Sequence, residues 1–381
     1  MTKKMVKMNM KLLLLIPIAA IITVIGCKKD NNNTNNNNNN NFDRGALLTN
    51  YADNYILPAY KDMTVKLTDL KTKIDAFAAS PDSAKLEAVR TAWQTAYITW
   101  QGVDLLEFGP EASISLRSYI NTYPVTISKL DANIASGSYD LEQFGNKDAQ
   151  GFPAIDYLLN GIASTNAGVI TNYTTDAQAT SRKQYLKALA TKMLTKVTDV
   201  KTAWNTYRNT YVSSTGTDAG SSISLTTNAF IQYYERYLRS GKVGLPAGSM
   251  TGVAAPTLTE AYYTPTLSKE LAVAAMNAVK NFYNGKGYSN NTDGMGFNDY
   301  LMAIGTKDQN GKAMATVIND NLTSASNSLS SFPATIRAGV SNNRPEILAI
   351  YEQLQAIVPL LKVDMVSAFG ISITFTDNDG D

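Results

Sequence analysis

Residues 181–211 limit the fold more tightly than any other stretch. Tyr185, Leu189, Met193, Val197, Val200, Trp204, Tyr207 and Tyr211 recur at threes and fours, the spacing that lines side chains along one face of an α-helix. A helix of that length with one apolar stripe has to lay the stripe against other helices. The same rhythm appears earlier, in Leu48, Tyr51, Tyr55, Met63, Leu67, Leu70, Ile74 and Phe77, with Pro58 expected to kink the helix. Ser80-Pro81-Asp82 reads as a stop and restart. The next helix is expected to reach about Phe108, with Leu86, Val89, Trp93, Ala96, Trp100 and Val103 as its stripe and Gly109-Pro110 as its end.

Shorter helical pieces follow at 116–121 and 127–134, split by Pro124, and longer ones at 223–240, 268–283, 313–332 and 344–369. Only residues 371–375 alternate like a strand. The fold class is all-α. A chain of 381 residues with 44% hydrophobic residues can bury one or two cores. The Gly/Ser/Thr-rich stretch 213–222 is the expected boundary between two helical bundles, 42–215 and 216–381. Gly151-Phe152…Asp156-Tyr157-Leu158 and Gly296-Phe297…Asp299-Tyr300-Leu301 share an order, the first with two extra residues, that fits chance at least as well as two related halves.

The chain has no histidine and one cysteine. That excludes Ser-His-Asp and Cys-His chemistry and zinc sites built from His and Cys. Any metal would rest on oxygen ligands from Asp, Glu, backbone carbonyls or tyrosines. The formal net charge of +2 gives no reason to expect a nucleic-acid partner.

The cysteine belongs to the N-terminus. Lys3, Lys4, Lys7 and Lys11 precede an apolar run, 12–25, that ends in Val24-Ile25-Gly26-Cys27 and looks like a bacterial lipobox. Residues 1–26 then form a lipoprotein signal peptide, and Cys27 carries lipid and ties the chain to the membrane; an uncleaved anchor or a plain signal peptide is the alternative. Two or three acyl chains suffice for stable anchoring. Residues 27–41 form an Asn-rich disordered tether, spanning about 20 Å for an 11-residue coil. Lys28-Lys29-Asp30 also resembles surface-export signals of Bacteroidetes lipoproteins. At the other end, 377–381 opens like a calcium loop but lacks the downstream Glu, and reads as a solvated terminus.

Several residues are candidates for chemistry. Gly151-Phe152-Pro153-Ala154-Ile155-Asp156 reads as a helix start, with Pro153 suited to a first helical position and Asp156 in the first turn, facing the positive end of the dipole. Trp93, Trp100 and Glu107 are seven apart, so Glu107 lies close to the tryptophan stripe. It is either a partly buried acid that needs a partner or a solvated residue at a frayed end. Arg117 is the candidate partner for Glu107 or Asp156, since a guanidinium can clamp a carboxylate. Glu235 and Arg239, four apart, form either a solvated helix pair or part of a second site. Glu260, ahead of Ala261-Tyr262-Tyr263, is the candidate pocket acid of the second half.

The stretch from Gly151 to Gly161 resembles the signature of the imelysin family, G-x-H-x-x-E followed by Tyr-Leu-Leu and a Gly. Gly151 matches, Pro153 stands at the His, and Asp156 stands at the Glu. Trp93, Trp100, Glu107 and Phe108-Gly109-Pro110 upstream also resemble the family, as do Gly241-Lys242-Val243-Gly244-Leu245-Pro246 and Glu260-Ala261-Tyr262-Tyr263 downstream. Arg117 and Tyr123, before Pro124, match its Arg and aromatic-Pro segment. The resemblance implies an imelysin-like all-α fold and makes Glu107 a pocket acid.

The family is classed with metallopeptidases and includes proteins linked to bacterial iron uptake. The resemblance therefore implies a lipid-anchored envelope protein of the outer membrane, accessory to iron or haem acquisition, with an iron or haem transporter of that membrane as partner. Its ligand pocket is expected near the seam of the halves, from Glu107, Arg117, Tyr123, Gly151, Pro153, Asp156, Glu235, Arg239 and Glu260. Any metal there would use Glu107 and Asp156. Catalysis is not expected, because proline offers neither a ligand atom nor a proton to move. A peptidase with an altered oxygen-ligand metal site is the alternative, and an envelope scaffold without a small ligand is a third reading.

Overall fold

The N-terminal helical run shows how a proline passes through a long helix. α1 (Arg44–Asn50) is capped by Asp43, whose side chain accepts the Ala46 N–H at 2.9 Å. The chain then widens into a π-helical stretch, Tyr51–Ile56, before α2 (Leu57–Ala79). The Leu57 N–H reaches the Ala52 carbonyl, five residues back. Pro58 has no N–H to give and would crowd the carbonyl of a tight turn, so the wider turn accommodates it. The computed structural model describes residues 42–289 and 292–376. The signal peptide, Cys27, the Asn-rich tract and the 377–381 tail lie outside the described residues.

α3 (Ser83–Trp100) starts under the Asp82 cap and runs back along α2; α9 (Ala179–Ser213) packs on α2 as well. Met63, Leu67, Leu70, Ile74 and Phe77 of α2 meet the stripe of α9, of which only Tyr207 is half-buried and the rest buried. Each fully buried side chain of this size contributes about 1.5–3 kcal/mol of apolar transfer. Around this three-helix core lie α4 (Pro110–Ile114), α5 (Leu116–Ile120), α6 (Ile127–Ser136), α7 (Gly151–Asp156) and α8 (Asn166–Thr174). The second half holds α10 (Ser222–Gln232), α11 (Leu245–Ala247), α12 (Leu267–Tyr283), α13 (Phe297–Ile304), α14 (Met314–Ser331), α15 (Ile336–Asn342), α16 (Arg344–Gln355) and α17 (Val366–Phe369). Three further π-helical stretches interrupt the run of α-helices: Tyr157–Gly161, Tyr233–Gly244 and Leu360–Met365.

Residues Asn40–Asp381 form one compact unit. The first described helices pack on residues 282–295: Tyr51 stacks on Phe282 at 4.1 Å, and Asn50 donates to the carbonyls of Gly285 and Met295 at 2.8 and 2.9 Å. Two bundles meeting near 213–222 remain a proposal about organisation inside that unit.

Two expectations need correction. The third helix stops at Trp100, and Asp104–Leu106 is a 3-10 turn, so Glu107 does not continue the tryptophan stripe. Gly102 lies in the turn that follows, where a Cβ would fall 2.7 Å from the Tyr288 ring, so the residue there has to be small. Residues 371–375 are not a strand, and the described residues hold none. The Asn228 side chain takes the place of a neighbouring strand, accepting the Thr374 N–H at 2.8 Å and donating to the Ser372 carbonyl at 3.1 Å.

Candidate functional site

The helix start at Gly151 is held by close packing. Gly151 has φ 76°, and a Cβ there would lie 2.3 Å from the Ile120 carbonyl oxygen, so only glycine lets α7 approach α5. Phe152 stacks on Tyr97 at 4.4 Å, and its carbonyl accepts the Trp93 indole N–H at 3.1 Å. Pro153 is the third helical residue rather than the first, still within the turn whose N–H groups lack intrahelical partners.

Asp156 departs further from expectation. It is the last residue of α7, where the chain widens into the π stretch, so it does not face the helix N-terminus. Its buried carboxylate reaches across to 263–264 instead. Oδ2 accepts the Tyr263 N–H at 2.9 Å, and Oδ1 accepts the Thr264 hydroxyl at 2.7 Å and the Asn160 amide at 3.0 Å. Burial pushes its pKa up to about 6 in spite of these donors.

The Glu107 side is built around Arg117. The guanidinium Nε donates to Asp104 Oδ1 at 2.6 Å, and Nη2 donates to the Asp104 carbonyl. Glu107 Oε2 lies 3.7 Å from Nη1 and accepts the Arg117 backbone N–H at 3.3 Å. The Tyr237 ring covers the guanidinium at 3.7 Å. Burial disfavours the charge on Arg117, but Asp104 and Glu107 outweigh it and raise its pKa. Burial also raises Glu107, against the pull of Arg117.

Two cavities flank Tyr123. The larger, about 570 Å³, is bounded by Glu107, Arg117, Asn121, Arg236 and Met250. The smaller, about 350 Å³, is bounded by Pro153, Asp156, Thr259, Tyr262 and Tyr263. Tyr123 borders both. A polar knot lies in the core beside it. Lys242 Nζ meets Glu260 Oε2 at 2.5 Å, Asn121 donates to Glu260 Oε1 at 2.8 Å, and the Tyr97 hydroxyl donates to Asn121 at 2.6 Å. Asn121 reaches from the larger cavity into this knot.

Of the nine expected site residues, Glu107, Arg117 and Tyr123 therefore share one cavity, and Pro153 and Asp156 share the next with Tyr123. Gly151 holds the backbone. Glu260 is buried in the knot and borders neither cavity, although its neighbours Thr259 and Ala261 do. Glu235 and Arg239 are buried rather than solvated; they lie 3.9 Å apart, with Lys362 at 3.2 Å from Glu235 and Tyr351 at 3.1 Å from Arg239, away from both cavities. Sequence reasoning missed Asp104, Asn121 and Arg236 as site residues, and Lys242 beyond its place in a family-like segment. Asp104 alone carried a signal, as an acid three residues before Glu107.

These residues do not fit a metal held by Glu107 and Asp156. The two carboxylates border different cavities, Asp156 is engaged by three hydrogen-bond donors, and Glu107 leans on a guanidinium. Among the described residues no group of three or more acidic or cysteine side chains is placed to hold an ion.

Comparison with known proteins agrees with this architecture. The imelysin family profile matches residues 56–362. "Iron-regulated protein A" of Synechococcus elongatus is 26% identical over 185 residues, 46% of this chain and 47% of its own length, so the chain spans about half of that relative. The crystal structure of a putative iron-regulated protein A precursor from Parabacteroides distasonis superposes with a TM-score of 0.69 at 16% identity, covering 86% of this chain and 95% of its own. An imelysin-like protein from Psychrobacter arcticum superposes at 0.64 and 19% identity, over 87% and 97%. The two superpositions concern the fold. The family match covers the body from the end of the first π stretch to Lys362, and it includes both cavities: this chain belongs to the imelysin family.

Proposed function

We propose that the protein is a lipid-anchored component of the cell envelope that binds a ligand without catalysis, as an accessory to iron or haem uptake. One observation carries the reading: two largely apolar cavities with a few polar side chains at their walls meet at Tyr123, each lined by segments far apart in the sequence. A pocket of a few hundred Å³ with a few placed polar groups suits a small molecule. The kinship with a protein named iron-regulated supports the physiological context. Among the described residues no helix is long and apolar enough to cross a membrane; the proposed attachment is the lipid on Cys27, from the lipobox-like Val24-Ile25-Gly26-Cys27.

The site's chemistry supports a reading without catalysis. Proline at 153 neither binds nor transfers a proton, and Asp156 is committed to three donors. Titration calorimetry on the full-length protein in detergent, with ferric iron, a ferric chelate and haem in turn, tests the binding reading. Saturable binding of one of them is expected; no heat with any of the three returns the protein to the scaffold reading. Unfolded protein substrates with added zinc test the peptidase alternative on wild type, Pro153→His, and Pro153→His with Asp156→Glu. No cleavage is expected from any of them. Zinc-dependent cleavage by the wild type, lost on Glu107→Gln, would put the peptidase first. The anchor is tested separately: Cys27→Ser should abolish acyl labelling and release the chain from the membrane fraction.

A further inference from the structure

We infer that the larger cavity takes an amphipathic carboxylate, an apolar body bearing one or two carboxylate groups as in a porphyrin dicarboxylate, rather than a bare cation. The inference rests on the ligand-binding reading above and names the ligand class for that site.

The cations of the cavity are not equivalent. Arg117 is occupied by Asp104, Glu107 and the Tyr237 ring. Arg236 borders the same cavity, is exposed, sits 5.8 Å from the Tyr237 ring, and forms no ion pair among the described residues. A guanidinium in that state offers a planar fork to a carboxylate. It also repels a bare cation, and the one carboxylate lining the cavity, Glu107, already leans on Arg117.

The rim supplies the other half of the ligand. Leu245 and Met250 border the cavity and remain 44% and 58% exposed, large apolar side chains left outside the core. Met is adaptable and lies well against flat apolar surfaces. Tyr123 and Tyr237 border the same space, and their hydroxyls make no hydrogen bond among the described residues, which leaves their hydrogen-bonding capacity to a ligand. The volume, about 570 Å³, falls inside the roughly 300–1,000 Å³ of small-molecule and cofactor pockets. An apolar rim, an uncommitted guanidinium and free phenols within one cavity describe a ligand that is greasy at one side and acidic at the other.

The test uses metal-free protoporphyrin IX and its dimethyl ester, which has the same ring and no carboxylates. Both are titrated into full-length protein in detergent, read by quenching of tryptophan fluorescence; partition into micelles is common to wild type and variants and cancels in their difference. The free acid should bind saturably and the diester at least about tenfold more weakly, as expected when a charge-assisted hydrogen bond is lost. Arg236→Gln should weaken the acid by about tenfold and leave the diester unchanged. Met250→Glu, at an exposed position where folding is not at stake, should weaken both. Equal binding of acid and diester, or an Arg236→Gln variant that binds like wild type, overturns carboxylate recognition. Ferric iron bound where neither porphyrin binds overturns the inference and leaves the proposed function standing. Failure of every probe removes both.

Discussion

Asp156 and Glu107 are two acids on either side of Tyr123, both with pKa raised by burial, and they are satisfied in opposite ways. Asp156 is surrounded by neutral donors from a loop 107 and 108 residues further on, and its role is to tie α7 to that loop. Glu107 leans on Arg117, which already has a closer partner in Asp104, so it keeps part of its surface and part of its hydrogen-bonding capacity. The position that resembles the family signature has thus become architectural in this chain. The unspent charge lies on the other side, in residues outside that signature.

The strongest way to break this contrast is to remove the knot next to both cavities. Lys242→Met leaves Glu260 buried without its ammonium and should cost about 3–5 kcal/mol in urea unfolding. A loss below 1 kcal/mol would mean the knot does not support either side. Next comes the contrast itself. Asp156→Ala orphans three donors and should destabilise by about 2–3 kcal/mol, whereas Glu107→Ala, with Arg117 still held by Asp104, should cost about 1 kcal/mol. The reverse order would show that Glu107 is the structural acid.

A double-mutant cycle on Glu107→Gln and Arg117→Gln sharpens the picture further. Coupling of roughly 0.5–3 kcal/mol is expected for groups in one network, and strict additivity would separate them. The gentlest probe is pH. In the fold Asp156 is held up at about 6 against an ordinary 3.8, so the folded state keeps a proton that the unfolded chain has lost. Stability should therefore fall as pH rises from about 4 to about 6 and be level above that, as far as this group is concerned. Asp156→Asn should make that part of the profile shallower. Glu111, pushed up from 4.5 to about 8 by burial, adds a slope of the same sense across that range, and Glu111→Gln should remove it, most visibly above pH 6 where Asp156 no longer contributes.

The helices were legible because their stripes are long: the expected 181–211 is observed as Ala179–Ser213, and 268–283 as Leu267–Tyr283. The pairing of Glu107 with Arg117 was legible as acid and guanidinium flanking Gly-Pro. The helix break after Trp100 was not, because a seven-residue spacing can run straight across a turn that only the close approach of Tyr288 reveals. Asn121 was invisible for a different reason: a neutral amide acquires a role only through a partner 139 residues away. Lys242 sits between glycine and valine like any surface lysine, and only burial beside Glu260 distinguishes it. Arg236 and Arg239 are three apart on the same helical stretch, and local spacing could not say which one the core would enclose.

That stretch, Tyr233–Gly244, is twelve residues wound with the wider π turn. It sends Glu235 and Arg239 towards Lys362 and Tyr351, and Arg236 and Ser240 into the larger cavity. In an ordinary helix the loss of one residue would ruin the packing of all that follows. Here the surplus winding makes deletion conceivable: shortening by one residue would return the segment to the common i to i+4 pattern and rotate its faces against each other. The ring of side chains presented to a ligand would then change without a single substitution in it. Divergence among chains of this architecture can proceed through length as well as through side-chain exchange.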